Sequence, residues 1–312
     1  MKIKFYIFTM FLLVIINYKC SSYNTQLLQN ISIKNKKFSG VNFENCTFNK
    51  VKFINCEFKN CVFRNNNFYK FYTYNVKFIN SSFLHNIFTK TRLSRTIIKN
   101  TKLINIKLIK STFEYFSILK CVLKKVKFLA RDGLYTYAFS KIENSKLIDT
   151  TIDGQILKGL DFNNCTIKDS KLDILGNTDL NTWPNVYILN SKIYNTRFDY
   201  SSKKKICVEK ALSKGRIKKS YFQNCLFKCV AFKNFYIHSS QFDSCIFKNI
   251  DFMCIKILNT SFKNTDFINL KVIRKKDLNI DRRCNTNTVI DKKLNSYFKK
   301  RIVSGFSRII WK

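Results

Sequence analysis

From Phe38 to Phe128 a large apolar residue returns at every fifth position, with one exception. The centres are Phe38, Phe43, Phe48, Phe53, Phe58, Phe63 and Phe68, then Thr73, then Phe78, Phe83, Phe88, Leu93, Ile98, Leu103, Leu108, Phe113, Ile118, Leu123 and Phe128. A step of five fits neither an α-helix, which wants about 3.6, nor a plain strand, which wants about two, so the rhythm points to a repeat architecture. Two residues before most centres stands a smaller one: Val41, Cys46, Val51, Cys56, Cys61, Val76, Ser81 and Thr91, for example. Residues two apart on extended backbone face the same side, so each unit sends one small and one large side chain inward and turns three outward. Thr73 supports this, because the bulky Phe71 fills its small site and the inward volume is roughly kept. Asn recurs two residues after the centre, as in Asn45, Asn55, Asn60, Asn65 and Asn75. Asn tolerates left-handed backbone, which a corner after each short strand needs. Strands of an ordinary sandwich would show period two and irregular turns instead of this shared phase.

Units such as Val41-Asn42-Phe43-Glu44-Asn45 and Cys46-Thr47-Phe48-Asn49-Lys50 resemble the pentapeptide-repeat family. The resemblance implies an all-β fold, a right-handed quadrilateral parallel β-helix with four repeats per coil. It also implies that residues twenty apart stack, with Phe43, Phe63, Phe83, Leu103 and Leu123 in one column and Phe222, Phe242 and Phe262 stacked likewise. About forty repeats make roughly ten coils, a rod of about 48 Å at about 4.8 Å per coil.

The expected organisation is a leader, a solenoid over 38–272 and a cap over 273–312. Met1 to Ser22 reads as a secretory signal, with Lys2 and Lys4 before an apolar run from Phe5 to Ile16 and cleavage before Tyr23. A retained anchor is the alternative. Residues 23–37 are rich in Asn, Ser, Gln and Lys, and no acidic residue precedes Glu44. This resembles the bipartite leader that sends proteins to the relict plastid of apicomplexan parasites; a plain linker is the other reading. The localisation expected is entry into the secretory pathway, then secretion or that plastid.

Three interruptions are expected in the rod. The first, at 131–140, contains Asp132-Gly133, a turn signal, and reads as a bulged corner. The second, at 173–187, carries Trp183 and the single proline, Pro184. The third, at 199–219, includes Lys203-Lys204-Lys205 and a helix-like Ile206 to Lys214 that stops at Gly215. Beyond 272, Thr288 and Asp291 form a capping-box pattern. Ile290, Leu294, Tyr297, Phe298, Ile302, Phe306 and Ile309 follow at helical spacing, which predicts a C-terminal α-helical cap. The same helix is basic on its other face, so a membrane or partner contact is an alternative to capping.

With 46% apolar residues and 31 Phe, the chain can bury a substantial core. The formal charge of +38 suggests a polyanionic partner, nucleic acid or an anionic membrane. AT-rich codons also favour Lys, Asn, Ile, Phe and Tyr together, so base composition is a competing source of that charge. Cys46, Cys56, Cys61, Cys121, Cys165, Cys225 and Cys245 sit at small sites as hydrophobic filler. Cys225 and Cys245, twenty apart, are expected to stack as a strained, unformed disulfide and remain thiols. No CxxC spacing supports a metal.

Catalytic, cofactor and metal sites are all expected to be absent. The two histidines, His85 and His238, have neither a metal spacing nor a nucleophile motif, and no carboxylate pair is visible. Some members of the resembled family mimic DNA with an acidic rod. Outward Lys52, Lys59, Lys77 and Lys102 oppose that here. The reading is a non-enzymatic scaffold that binds a protein through its flat faces and insertions. The alternative is a polyanion binder using Lys203, Lys204, Lys205, Lys233, Lys248 and Lys263.

Overall fold

The computed structural model describes residues 22–129, 136–138, 140–156, 159–176, 186–199, 211–213, 215–272, 278–280, 286–290 and 308–310. Their strands pair in parallel, and in regular coils the register advances by twenty: Phe43 lies beside Phe63, and Phe63 beside Phe83. The first coil shows the plan, with strands Ser22–Asn24, Leu27–Gln29, Ser32–Lys34 and Lys37–Ser39. Each begins one of four faces, called first to fourth in that order. The fourth face alone is a 12-stranded sheet.

Strands stay three residues long because the residue two past each centre turns left-handed. Asn45, Asn55 and Asn75 all have φ of 53°. Its N–H still donates to the neighbouring coil, as from Asn45 to the Arg64 carbonyl at 3.0 Å, so turning left-handed does not orphan that donor. Successive corner side chains also bond along the rod. Asn55 donates to Asn35 and Asn75 to Asn55, each at 3.0 Å.

Inside, the large centres pile into columns. Phe43 stacks on Phe63 with centroids 4.9 Å apart, Phe63 on Phe83 at 4.6 Å, and Phe222 on Phe242 at 4.6 Å. Leu103, Leu123 and Phe262 are buried in the same first-face column. Thr73 and Phe71 are both buried, so the inferred exchange of large and small sites holds. Cys, Ser and Thr suit the small sites because they satisfy backbone there. Ser81 donates to the Ile79 carbonyl at 2.9 Å and accepts from the Cys61 N–H at 3.1 Å. Asn66 and Asn86 extend this to buried amides, which donate to the Phe43 and Phe63 carbonyls at 2.9 and 2.8 Å.

Gly215 occupies the small site beneath Phe235. A Cβ there would run into the Phe235 ring and stand 2.7 Å from the Val186 carbonyl oxygen. Gly215→Ala is expected to cost about 1–3 kcal/mol through overpacking, with partial recovery when Phe235 is also shortened to leucine. Denaturant unfolding of the single and double variants checks this.

Several sequence expectations change. Residues 23–37 are not a plain linker. They complete the first coil, with Leu28 and Ile33 buried and Tyr23 stacked on Phe43 at 5.0 Å, because the fifth-residue rhythm continues back through them with weaker apolar residues. Residues 1–21, which carry the expected signal, lie outside the described residues. Among the described residues no helix is long and apolar enough to cross a membrane.

The third interruption is narrower than 199–219. Ala211–Ser213 pairs with Ala231–Lys233, and Arg216–Lys218 pairs with Tyr236–His238. The helix-like stretch from Ile206 therefore ends in strand, since open sheet edges offer hydrogen bonds that outweigh local propensity. The same reason applies at the C-terminus. Leu278–Ile280 adds to the fourth face beyond residue 272, and Thr286–Ile290 and Arg308–Ile310 are strands where the helical cap was expected. The rest of that expected helix, 291–307, lies outside the described residues.

The interruptions lengthen three coils. Ile118 to Ile142 is 24 positions, Phe162 to Ile188 is 26 and Ile188 to Ile217 is 29. The described strands stop at Leu129, Gly176 and Asp199 and resume at Thr136, Val186 and Ala211. All three openings therefore lie on the third face or at a corner beside it.

Candidate anion-binding surface

The lysines singled out from sequence do not form one patch. Lys263 is on the first face beside Asp243, Lys248 on the second beside Lys228, and Lys233 on the third. Lys203, Lys204 and Lys205 lie outside the described residues. Lys233, Lys248 and Lys263 are fifteen apart, and in a coil of twenty each step of fifteen lands on a different face.

What the coils do bring together is a ladder at the corner between the second and third faces. Lys50, Lys70, Lys90 and Lys110 occupy successive turns of that corner with φ of 54°, 50°, 54° and 51°. Their N–H groups donate to the carbonyls of Tyr69, Thr89, Ile109 and Leu129 at 2.8–3.0 Å, so their backbones are fixed in register. Left-handed backbone disfavours lysine more than asparagine. In the same coils the corner between the fourth and first faces instead carries Asn60, Asn80 and Asn100, and that between the first and second carries Asn45, Asn65 and Asn105.

Like charges on neighbouring coils repel one another. Lys50, Lys70 and Lys90 are exposed and have no ion-pair partner among the described residues. Between Ser22 and Leu129 the sequence holds only three carboxylates, Glu44, Glu57 and Glu114. Glu114 is occupied, accepting two bonds at 2.9 Å from Arg92, whose guanidinium is held more firmly charged by that contact. Beside the ladder stands Tyr69, exposed at 37%, with the Lys70 and Lys90 ammoniums 5.4 and 5.9 Å from its ring centre. Tyr72 and Tyr74 follow on the third face, and the Arg95 guanidinium lies 5.4 Å from the Tyr74 ring centre.

The small-site thiols are buried. Burial pushes Cys121 and Cys165 up to about 11, and Cys225 is pushed up by its hydrogen bond to Cys245 and by burial. Cys225 and Cys245 are free thiols, as expected. Among the described residues no group of three His, Cys, Asp or Glu side chains forms a metal site.

One acidic pair escaped the sequence reading. Asp161 stands beside Lys141 across the fourth face, and Lys141 bonds Glu143 at 3.2 Å. Burial first, then the Glu143 charge, push Asp161 above the ordinary carboxylate range. The eighteen-residue diagonal between the two acids has meaning only once coils stack. A raised folded-state value means ionisation favours the unfolded chain. Asp161→Asn is therefore expected to raise the unfolding midpoint at neutral pH, and the gain should vanish below about pH 4, where the acid is protonated in both states. Unfolding curves of both proteins at the two pH values check it.

A family model described as pentapeptide repeats matches residues 28–65 in eight copies. The chain carries pentapeptide repeats. Among solved structures, the pentapeptide-repeat chain is similar to QnrB1, a plasmid-mediated fluoroquinolone resistance protein, at 13% identity over 80% of this chain and 91% of that one, with a TM-score of 0.28. It is similar to HetL, a pentapeptide-repeat protein involved in heterocyst differentiation regulation in the cyanobacterium Nostoc, at 9% identity over 83% and 89%, TM-score 0.26. A third is the tailspike protein gp49 of Acinetobacter baumannii bacteriophage Fri1, a capsular polysaccharide depolymerase, at 9% identity over 92% and 62%, TM-score 0.43. No curated protein matches this pentapeptide-repeat chain.

Proposed function

We propose that this protein is a non-enzymatic scaffold, a right-handed four-sided rod of the secretory or plastid route, that binds a polyanion along its lysine corner. The observation that carries this reading is the contrast between corners: lysine fills one of them in four successive coils, while the other three hold asparagine at eight of their twelve turns, with His85, Arg95, Tyr115 and Lys120 at the rest. AT-rich codons would supply lysine and asparagine to every corner alike, so base composition does not account for the segregation. A line of ammonium groups with almost no nearby carboxylate attracts phosphate, sulfate or carboxylate polymers through counterion release.

Retention on an immobilised polyanion at low salt, with elution as salt rises, is the expected result. Passage straight through at low salt would sink the reading. Capture of a protein partner is the second reading, favoured by the three interruptions that open on one side of the rod. A protein bound equally well at low and high salt would support it over the first.

A further inference from the structure

We infer that the lysine corner and the tyrosines beside it form a track for an extended single-stranded nucleic acid lying parallel to the rod axis. This rests on the polyanion reading and narrows it to one ligand. Phosphates would meet Lys50, Lys70, Lys90 and Lys110, and bases would turn to either side of the corner, toward Tyr69 on the second face or Tyr72 and Tyr74 on the third.

Spacing favours a single strand over a duplex. Successive coils lie about 4.8 Å apart, whereas phosphates along one duplex strand advance about 3.4 Å and wind away from a straight line. Across the three steps from Lys50 to Lys110 a duplex strand would fall about 4 Å out of step as well as curve off the corner. A single strand has no fixed rise and can stretch to one phosphate per coil.

The aromatic groups supply the second half of the argument. Single-strand binders join a basic track to rings on which bases stack without regard to sequence. Tyr69 immediately precedes Lys70 at this corner and has two ammoniums near its ring, and Tyr74 has a guanidinium near its own. An incoming base would exchange places with those cations, which are then free to meet phosphates. A membrane surface suits this geometry less well, because a projecting corner touches a plane along one line only.

The test uses the full chain and three probes at one low salt concentration: labelled oligothymidylate, a duplex of the same length, and a heparin fragment. The single strand is expected to bind on the order of tenfold more tightly than the duplex or the heparin fragment. Tyr69→Ala should weaken single-strand binding on the order of tenfold while leaving its salt dependence unchanged. Tyr69 is exposed, so an unaltered unfolding curve serves as the control for folding.

Equal or tighter binding of duplex or heparin overturns the single-strand assignment, as does an unaffected Tyr69→Ala variant. In those cases the polyanion reading survives provided binding still depends on the lysine ladder. If removing the ladder changes the binding of no probe, both fail.

Discussion

Replacing Phe63 by alanine is expected to lower the free energy of unfolding by about 3–5 kcal/mol. Phe63 is 1% exposed and packs against five rings. It stacks on Phe43 and Phe83, at 4.9 and 4.6 Å between centroids, and meets Phe58, Phe78 and Phe68 at 5.6, 5.8 and 6.3 Å. Alanine would remove the ring from all of these and leave a cavity. The surrounding backbone has little freedom to close it, since Val62 donates to Val41 and Ser82 to Cys61 at 2.9 Å on either side of the coil. The cost should therefore fall in the upper part of the range.

Because each coil touches only its neighbours, the damage should be local, with faster amide exchange in the coils around Phe63 and little change near Phe242. Phe63→Leu, which keeps most of the volume, should cost much less. Denaturant unfolding with amide exchange measures both. A loss below about 1 kcal/mol for the alanine variant would contradict a close-packed column.

Changing Lys50, Lys70, Lys90 and Lys110 together to asparagine is expected to abolish most polyanion binding while leaving the rod as stable as before or more so. Each lysine stands on left-handed backbone that asparagine adopts at less cost. The substitution also removes four stacked like charges and would permit the Asn-to-Asn bonds seen at Asn55 and Asn75. Binding should move the other way. For a single strand, log affinity falls with log salt by about 0.7 per phosphate contact, so losing four contacts should flatten the slope by about 3. Paired measurements of unfolding midpoint and salt-dependent affinity give the result. A variant that bound as tightly, with the same slope, would remove the ladder from any role in recognition, and one that unfolded more easily would show that the lysines are structural.

The fifth-residue rhythm made the interior legible in advance. Phe43, Phe63 and Phe83 were assigned to one column on the family resemblance and form one, and the exchange at Phe71 and Thr73 was read correctly from spacing. Where the rhythm used weaker residues, the reading stopped short: Tyr23, Leu28 and Ile33 build a coil that composition made look like a linker. At the other end, helical spacing after Thr288 competed with strand edges, and strands occupy 286–290 and 308–310. Lys50, Lys70, Lys90 and Lys110 were in view as residues twenty apart. Their departure from the asparagine of the other corners shows only when the corners are separated.

The sequence by itself determined which side chains point inward, because alternation and a fixed period leave extended backbone few other ways to bury so many aromatic rings; four units to a coil was what the family resemblance implied. Tertiary structure alone decided which outward residues share a surface. Interruptions lengthening three coils to 24, 26 and 29 positions shift which faces the later repeats reach, and the fifteen-residue steps between Lys233, Lys248 and Lys263 put those three on different faces of a twenty-residue coil. The uninterrupted first coils keep Lys50 to Lys110 in line along a single corner. Burial is specified locally by each five-residue unit, but the alignment of charges is a sum over every coil between them, and one added residue is enough to change it.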